Sequence, residues 1–68
     1  MSATALVNGE LIKQLRKDKF ITQSGLAEMA GIRPESLCRL EKGKPAKFAT
    51  ILRIAEALGV EPQKLIVK

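Results

Sequence analysis

The sequence predicts an all-α domain of five short helices, and three observations carry that expectation. No clean alternation of apolar and polar residues marks a strand, and the chain has two Phe and neither Tyr nor Trp. Apolar residues recur instead at three- and four-residue spacing, most regularly in Phe48, Ile51, Ile54, Ala55 and Leu58. Gly31, Gly43 and Gly59 follow the ends of such runs, while Pro34 and Pro62 open the next ones, where a missing N–H does no harm.

The first helix covers about residues 9–18. Asn8 caps it by accepting from an orphan backbone N–H, Glu10 sits in the dipole-favoured first turn, and Leu11, Ile12 and Leu15 face inward. Thr22 caps a second helix over about 23–30, with Leu26, Met29 and Ala30 at helical spacing and Gly31 for the left-handed turn that stops it. Gly25 within it costs about 1 kcal/mol against Ala and removes the acid that would complete a capping box with Thr22. A third helix over about 34–41 opens with Pro34 and turns Leu37 and Leu40 inward, and "KGKPAK" after it reads as a basic loop. The fourth helix covers about 48–58. The fifth, about 62–66, has Leu65 as its anchor and Val60 folding back over its first turn, which leaves Ile66 and Val67 as apolar residues at the end.

Sixty-eight residues make one domain, taken as 1–68, and a chain of this size buries only about 60% of the surface its unfolded form exposes. Packing alone must hold it: Cys38 is the single cysteine, which excludes an internal disulfide, and with no His there is no ligand set for a metal and no expected cofactor. The segment "MSATALVNGE" lacks the basic start and apolar run of a secretory signal, and no stretch approaches the ~20 apolar residues of a membrane span, so the expected setting is cytoplasmic. A net charge of +5 points to a polyanionic partner. No nucleophile, base and metal converge, so no enzyme is expected.

Helices two and three fit a helix-turn-helix, since two helices meeting steeply through a tight turn require small and apolar residues at set places. Ala27 is small where the third helix must approach, Gly31 supplies the positive φ, Ile32 plugs the gap after it, and Leu26, Ala30, Leu37 and Leu40 share the inner face. Together "LRKDKFITQSGLAEMAGIRPESLCRLEKGK" and "TILRIAEALGVEPQKLI" resemble the five-helix, lambda-repressor-like DNA-binding domain of the phage repressor/Cro (XRE-type) family. The resemblance spans about residues 10–66 and rests on Arg16, "TQ" at 22 and 23, "LAEMAGI", "RLEKG" and "ILRIAEALGV" taken jointly.

What the resemblance implies is specific. Gln23 holds a DNA phosphate at the start of helix two, and Pro34, Glu35, Ser36 and Arg39 occupy the base-reading positions of helix three. Arg39 suits a fork to guanine O6 and N7, Ser36 donates or accepts, Glu35 accepts from a cytosine amino group or holds Arg39, and Pro34 offers an apolar contact to a thymine methyl. Glu41 pairs with Arg16 in a fork that ties helix one to the end of helix three, which sets the angle of the reading helix more than it adds stability. The clustering of Arg33, Arg39, Lys42, Lys44 and Lys47 against Glu35 and Glu41, in this motif, reads as a stripe in which Arg33, Lys42, Lys44 and Lys47 face phosphates. Lys13, Lys17 and Lys19 read as solvated charges, and Cys38 as a small packing residue rather than a redox switch. Phe20 stands where the family often has Gly, so either the loop before helix two changes conformation or Phe20 is an exposed apolar contact.

The function these readings predict is sequence-specific binding of double-stranded DNA by a transcriptional regulator, a repressor acting as a homodimer on a two-fold operator. Ile66 and Val67 are the candidate dimer contact. Alternatives are an antitoxin-like regulator that neutralises a toxin protein and controls its own operon, and a helix-turn-helix adaptor that binds protein instead of DNA.

Overall fold

The structure, a computed structural model, describes residues 3–67; Met1, Ser2 and Lys68, which the expected domain 1–68 includes, lie outside the described residues. Five helices follow one another: α1 (Gly9–Asp18), α2 (Gln23–Ala30), α3 (Pro34–Glu41), α4 (Phe48–Leu58) and α5 (Pro62–Leu65). Their ends are set by local chemistry. Asn8 Oδ1 accepts from the Leu11 N–H at 3.1 Å, and Thr22 Oγ1 accepts from the Gly25 N–H at 3.0 Å, so Thr22 keeps its half of the broken capping box. Gly31 at φ 70° and Gly59 at φ 72° close α2 and α4 in the left-handed conformation that a side chain disfavours.

The end of α1 makes the same kind of turn without a glycine. The Phe20 N–H donates to Lys17 O at 2.9 Å and the Ile21 N–H to Arg16 O at 3.1 Å, the paired bonds of a helix stop, with Phe20 held at φ 58°. The loop therefore keeps the conformation that glycine would give it. An L side chain there costs roughly 1–2 kcal/mol, and Phe20 recovers nothing by burial, being 96% exposed.

The core lies where α4 crosses α2 and α5, with α3 packed on α2 and α1, and α1 against α5. Leu26, Leu37 and Leu65 are fully enclosed, and Ile12, Ile51, Ile54 and Leu58 nearly so. Val60 and Ile32 pack on this cluster from its edge. Two expected core residues lie outside it: Met29 is 57% exposed and Phe48 43%. In α2 the buried stripe is Leu26, Ala27 and Ala30, and Met29 falls on the far side of Leu26 from that stripe; Phe48 is the first residue of α4, beyond the reach of the packed turns.

Two strands were not legible in the sequence. β1 (Thr4–Ala5) pairs antiparallel with β2 (Ala46–Lys47), Thr4 opposite Lys47 and Ala5 opposite Ala46, so part of the expected "KGKPAK" loop is strand. On its other side the same N-terminal segment meets the end of the chain. Val7 bridges Ile66, the Asn8 N–H donates to Leu65 O at 2.7 Å, and the Val67 N–H donates to Leu6 O at 2.9 Å. Ile66 is accordingly extended, at φ −90° and ψ 132°, and α5 stops at Leu65 rather than at 66. Strands of two residues contain no period for a sequence to display.

Gly9 marks a close approach of α1 to α3. A Cβ built there falls 2.6 Å from Leu40 O and from the Glu41 carbonyl carbon, and closer still to Glu41 O, all of them backbone atoms at the end of α3. At an open helical site Gly→Ala stabilises by about 1 kcal/mol. Here the sign reverses: Gly9→Ala pushes α1 off α3, and we expect a loss of about 2 kcal/mol in urea unfolding. Unchanged or increased stability would show that the two helices do not meet this closely.

Candidate nucleic-acid interface

The eight residues of α3 divide sharply between inside and outside. Leu37, Leu40 and Glu41 are buried, whereas Pro34, Glu35, Ser36 and Arg39 are exposed and Cys38 is intermediate. Arg33 precedes the helix and Lys42 closes it, both exposed, and exposed Lys44 and Lys47 follow in the segment leading to α4. At ~1.5 Å per residue the helix is about 12 Å long, the width of a DNA major groove. Among the described residues none of these cations is ion-paired.

An open groove of about 330 Å³ runs beside this face, lined by Ser36 and Arg39 on one wall and by Pro45, Lys47 and Thr50 on the other. It joins the expected base-reading residues to the expected phosphate-binding ones. Thr50, in the first turn of α4, had no signal in the sequence, because its place beside α3 depends on how α4 packs on α2 and α2 on α3.

One buried network fixes α3 relative to the rest. Arg16 Nε donates to Glu41 Oε2 at 2.6 Å and Nη2 to Oε1 at 3.1 Å, while Nη1 reaches the Ile21 carbonyl at 2.8 Å. Gln23 Nε2 donates to Glu41 Oε1 at 2.9 Å. The two charged side chains are 11% and 4% exposed, and none of their buried polar atoms lacks a partner. This bears on Gln23: its amide nitrogen holds Glu41, which leaves one N–H and the side-chain carbonyl for any other contact. Gln23 thus has a structural bond that the sequence reading did not foresee. Burial pushes the Glu41 carboxyl up, but hydrogen bonds from Arg16 and Gln23 and the charges of Arg16 and Lys13 outweigh it and hold the group below its ordinary 4.5.

With the geometry in place, comparison with known proteins decides the family. The helix-turn-helix domain family matches residues 9–68. The chain belongs to this family, in its phage repressor/Cro (XRE) type. It is 36% identical over 62 residues to the HTH-type transcriptional repressor RghR of Bacillus subtilis, covering 88% of this chain and 46% of RghR. The domain superposes on the restriction-modification controller protein C.AhdI from Aeromonas hydrophila with a TM-score of 0.78 at 30% identity, covering 82% of this chain and 86% of that one. On SinR, the master regulator for biofilm formation, solved in complex with DNA, the TM-score is 0.76 at 30% identity, over 81% of this chain and 90% of that one. The chain spans under half the length of the curated relatives it matches. Among the described residues no helix is long and apolar enough to cross a membrane.

Two measurements test the network. Arg16→Ala leaves Glu41 buried and unpaired, and thermal unfolding should show a loss of about 3 kcal/mol; a melting point within a degree or two of the parent would mean a solvated pair. Because Glu41 titrates below 4.5 in the folded protein, its contribution is complete above that pH and fades as pH falls through the folded value. Glu41→Gln should therefore flatten the stability profile between neutral pH and the acid limb, whereas a variant as steep as the parent would place the acid sensitivity in another carboxylate.

Proposed function

We propose that the chain is the DNA-binding domain of a transcriptional regulator, a repressor that binds double-stranded DNA as a homodimer on a two-fold operator and reads the major groove with α3. The observation that carries this reading is the outer face of α3, which presents unpaired Arg39 between exposed cations while the Arg16–Glu41 network holds the helix from behind. The repressor role of RghR and the DNA in the SinR complex support it. Arg39 forks to a guanine, Ser36 and Glu35 contact neighbouring base edges, and Pro34 packs on a thymine methyl. Arg33, Lys42, Lys44 and Lys47 neutralise phosphates, and the free N–H of Gln23 joins the backbone N–H groups of the first turn of α2 on another. The reading assigns no catalytic chemistry, since Glu41, the one buried carboxylate among the described residues, is already held by Arg16 and Gln23, and it puts the protein in the cytoplasm with its DNA.

Two copies place their reading helices about one helical turn, ~34 Å, apart. Of the apolar pair expected to join them, Ile66 packs on the core, so Val67 and its strand neighbour Leu6, 48% and 52% exposed, are the side chains left to meet across the axis.

Selection from a random duplex pool should enrich an inverted repeat; a pool that stays random after selection would refute sequence-specific binding. On the enriched duplex Arg39→Ala should cost about 1–3 kcal/mol and relax preference at one base pair per half-site, with far less effect on scrambled DNA. Lys44→Ala and Lys47→Ala should instead weaken both DNAs alike and lower the salt slope by about one. Equal loss on both duplexes for Arg39→Ala would make Arg39 a phosphate contact and move reading to Pro34, Glu35, Ser36 or DNA shape.

A further inference from the structure

Phe20 combines two features that folding alone does not explain. Its backbone sits at φ 58°, where glycine is the strain-free residue, and its ring is 96% exposed, so the fold gains no packing in return. Glycine would serve the turn better on both counts. A strained conformation that persists with no internal compensation points to a contact outside the molecule.

The surroundings identify that contact. Exposed Lys17 and Lys19 stand just before the ring in sequence, and Asp18, the acid between them, accepts a hydrogen bond from Gln14 at 2.8 Å. The next residue, Ile21, gives its carbonyl to Arg16, which grips Glu41 at the end of α3, and Gln23 grips the same carboxylate. The turn bearing Phe20 therefore lies beside the start of α2 and the end of α3, where Gln23 and Lys42 are assigned to phosphates. An exposed apolar ring just after two exposed lysines matches the chemistry of a nucleic-acid backbone, whose deoxyribose faces are apolar and whose phosphates are anionic.

We propose that Phe20 is a DNA contact that packs on a deoxyribose at the outer edge of each half-site, next to the phosphate held by the first turn of α2. This rests on the DNA-binding reading above. The contact is to the backbone, so it adds affinity without sequence preference and without releasing counterions.

Two variants separate this from a structural role. Phe20→Gly removes both strain and ring; Phe20→Ala removes the ring and keeps most of the strain. Both are measured by thermal unfolding and by titration with the enriched duplex and its scrambled counterpart at two salt concentrations. Phe20→Gly should melt higher than the parent and yet bind both duplexes about three- to ten-fold more weakly, with Phe20→Ala losing the same affinity and the salt slope unchanged in both. Undiminished binding of either variant would overturn the proposal and leave Phe20 to a protein partner. A lower melting point for Phe20→Gly would overturn it at its premise. A parent protein that binds neither duplex would fail the DNA-binding reading itself, and the proposal with it, a result seen without any variant.

Discussion

The arrangement of this domain depends on the pairing of Arg16 with Glu41. Neither side chain is accessible enough to be solvated in place, and withdrawing two charges from water is expensive, so the pair is a poor device for stability alone. What it supplies is position. The guanidinium spends its donors on the last residue of α3 and on the turn before α2, and Gln23, the first residue of α2, completes the carboxylate. Three helices are thereby referred to one carboxylate, and a planar fork tolerates little rotation about its axis. The short helices α2 and α3, each of eight residues and marginal in isolation, keep their mutual angle because apolar contacts hold them together and this fork fixes how.

The close approach at Gly9 serves the same end. Where the first residue of α1 lies almost on the backbone of Leu40 and Glu41, the far end of α1 carries Arg16 to the Glu41 carboxylate, so α3 is gripped at its C-terminal end by both ends of one helix. The N-terminal segment adds a second constraint. By pairing with residues 46–48 on one side and 65–67 on the other, it anchors the lysine-bearing segment after α3 to the end of the chain. The outer face of α3 and the cations that follow it are in this way held from two directions while remaining exposed themselves.

How much of this the sequence displayed follows from the range of each interaction. Helix ends were legible because they are local: Asn8, Thr22, Pro34, Gly31 and Gly59 act within a turn of themselves, and the expected boundaries of α1 to α4 match the structure while α5 ends one residue short. That exception has a non-local cause, the bridge from Ile66 to Val7. Met29 and Phe48 misled because a three-four spacing marks a stripe without saying how wide the buried part is or how far along the helix it extends. Gly9 carries no signal at all, since its significance lies in backbone atoms of α3 more than thirty positions away. At the candidate interface the residues on α3 could be named from the motif, whereas the groove wall formed by Thr50 depends on helix packing between distant segments, and the bond from Gln23 to Glu41 requires the third dimension.

The buried pair also shapes the charge that the domain presents. Residues 33–47 contain five cations, Arg33, Arg39, Lys42, Lys44 and Lys47, and two acids, Glu35 and Glu41. Glu41 is neutralised internally by Arg16, so five exposed cations face one exposed acid. Had Glu41 been on the surface, it would have opposed Lys42 and Lys44; inside, it orders the helix proposed to read DNA. Glu35 is then the one acid left on the outer face of α3, where its charge repels any phosphate and is tolerable only against a base amino group or a neighbouring arginine. In the proposed interface, an acid in that position would lower general attraction to DNA and raise the penalty for the wrong sequence, a route by which a small basic domain gains selectivity as well as affinity.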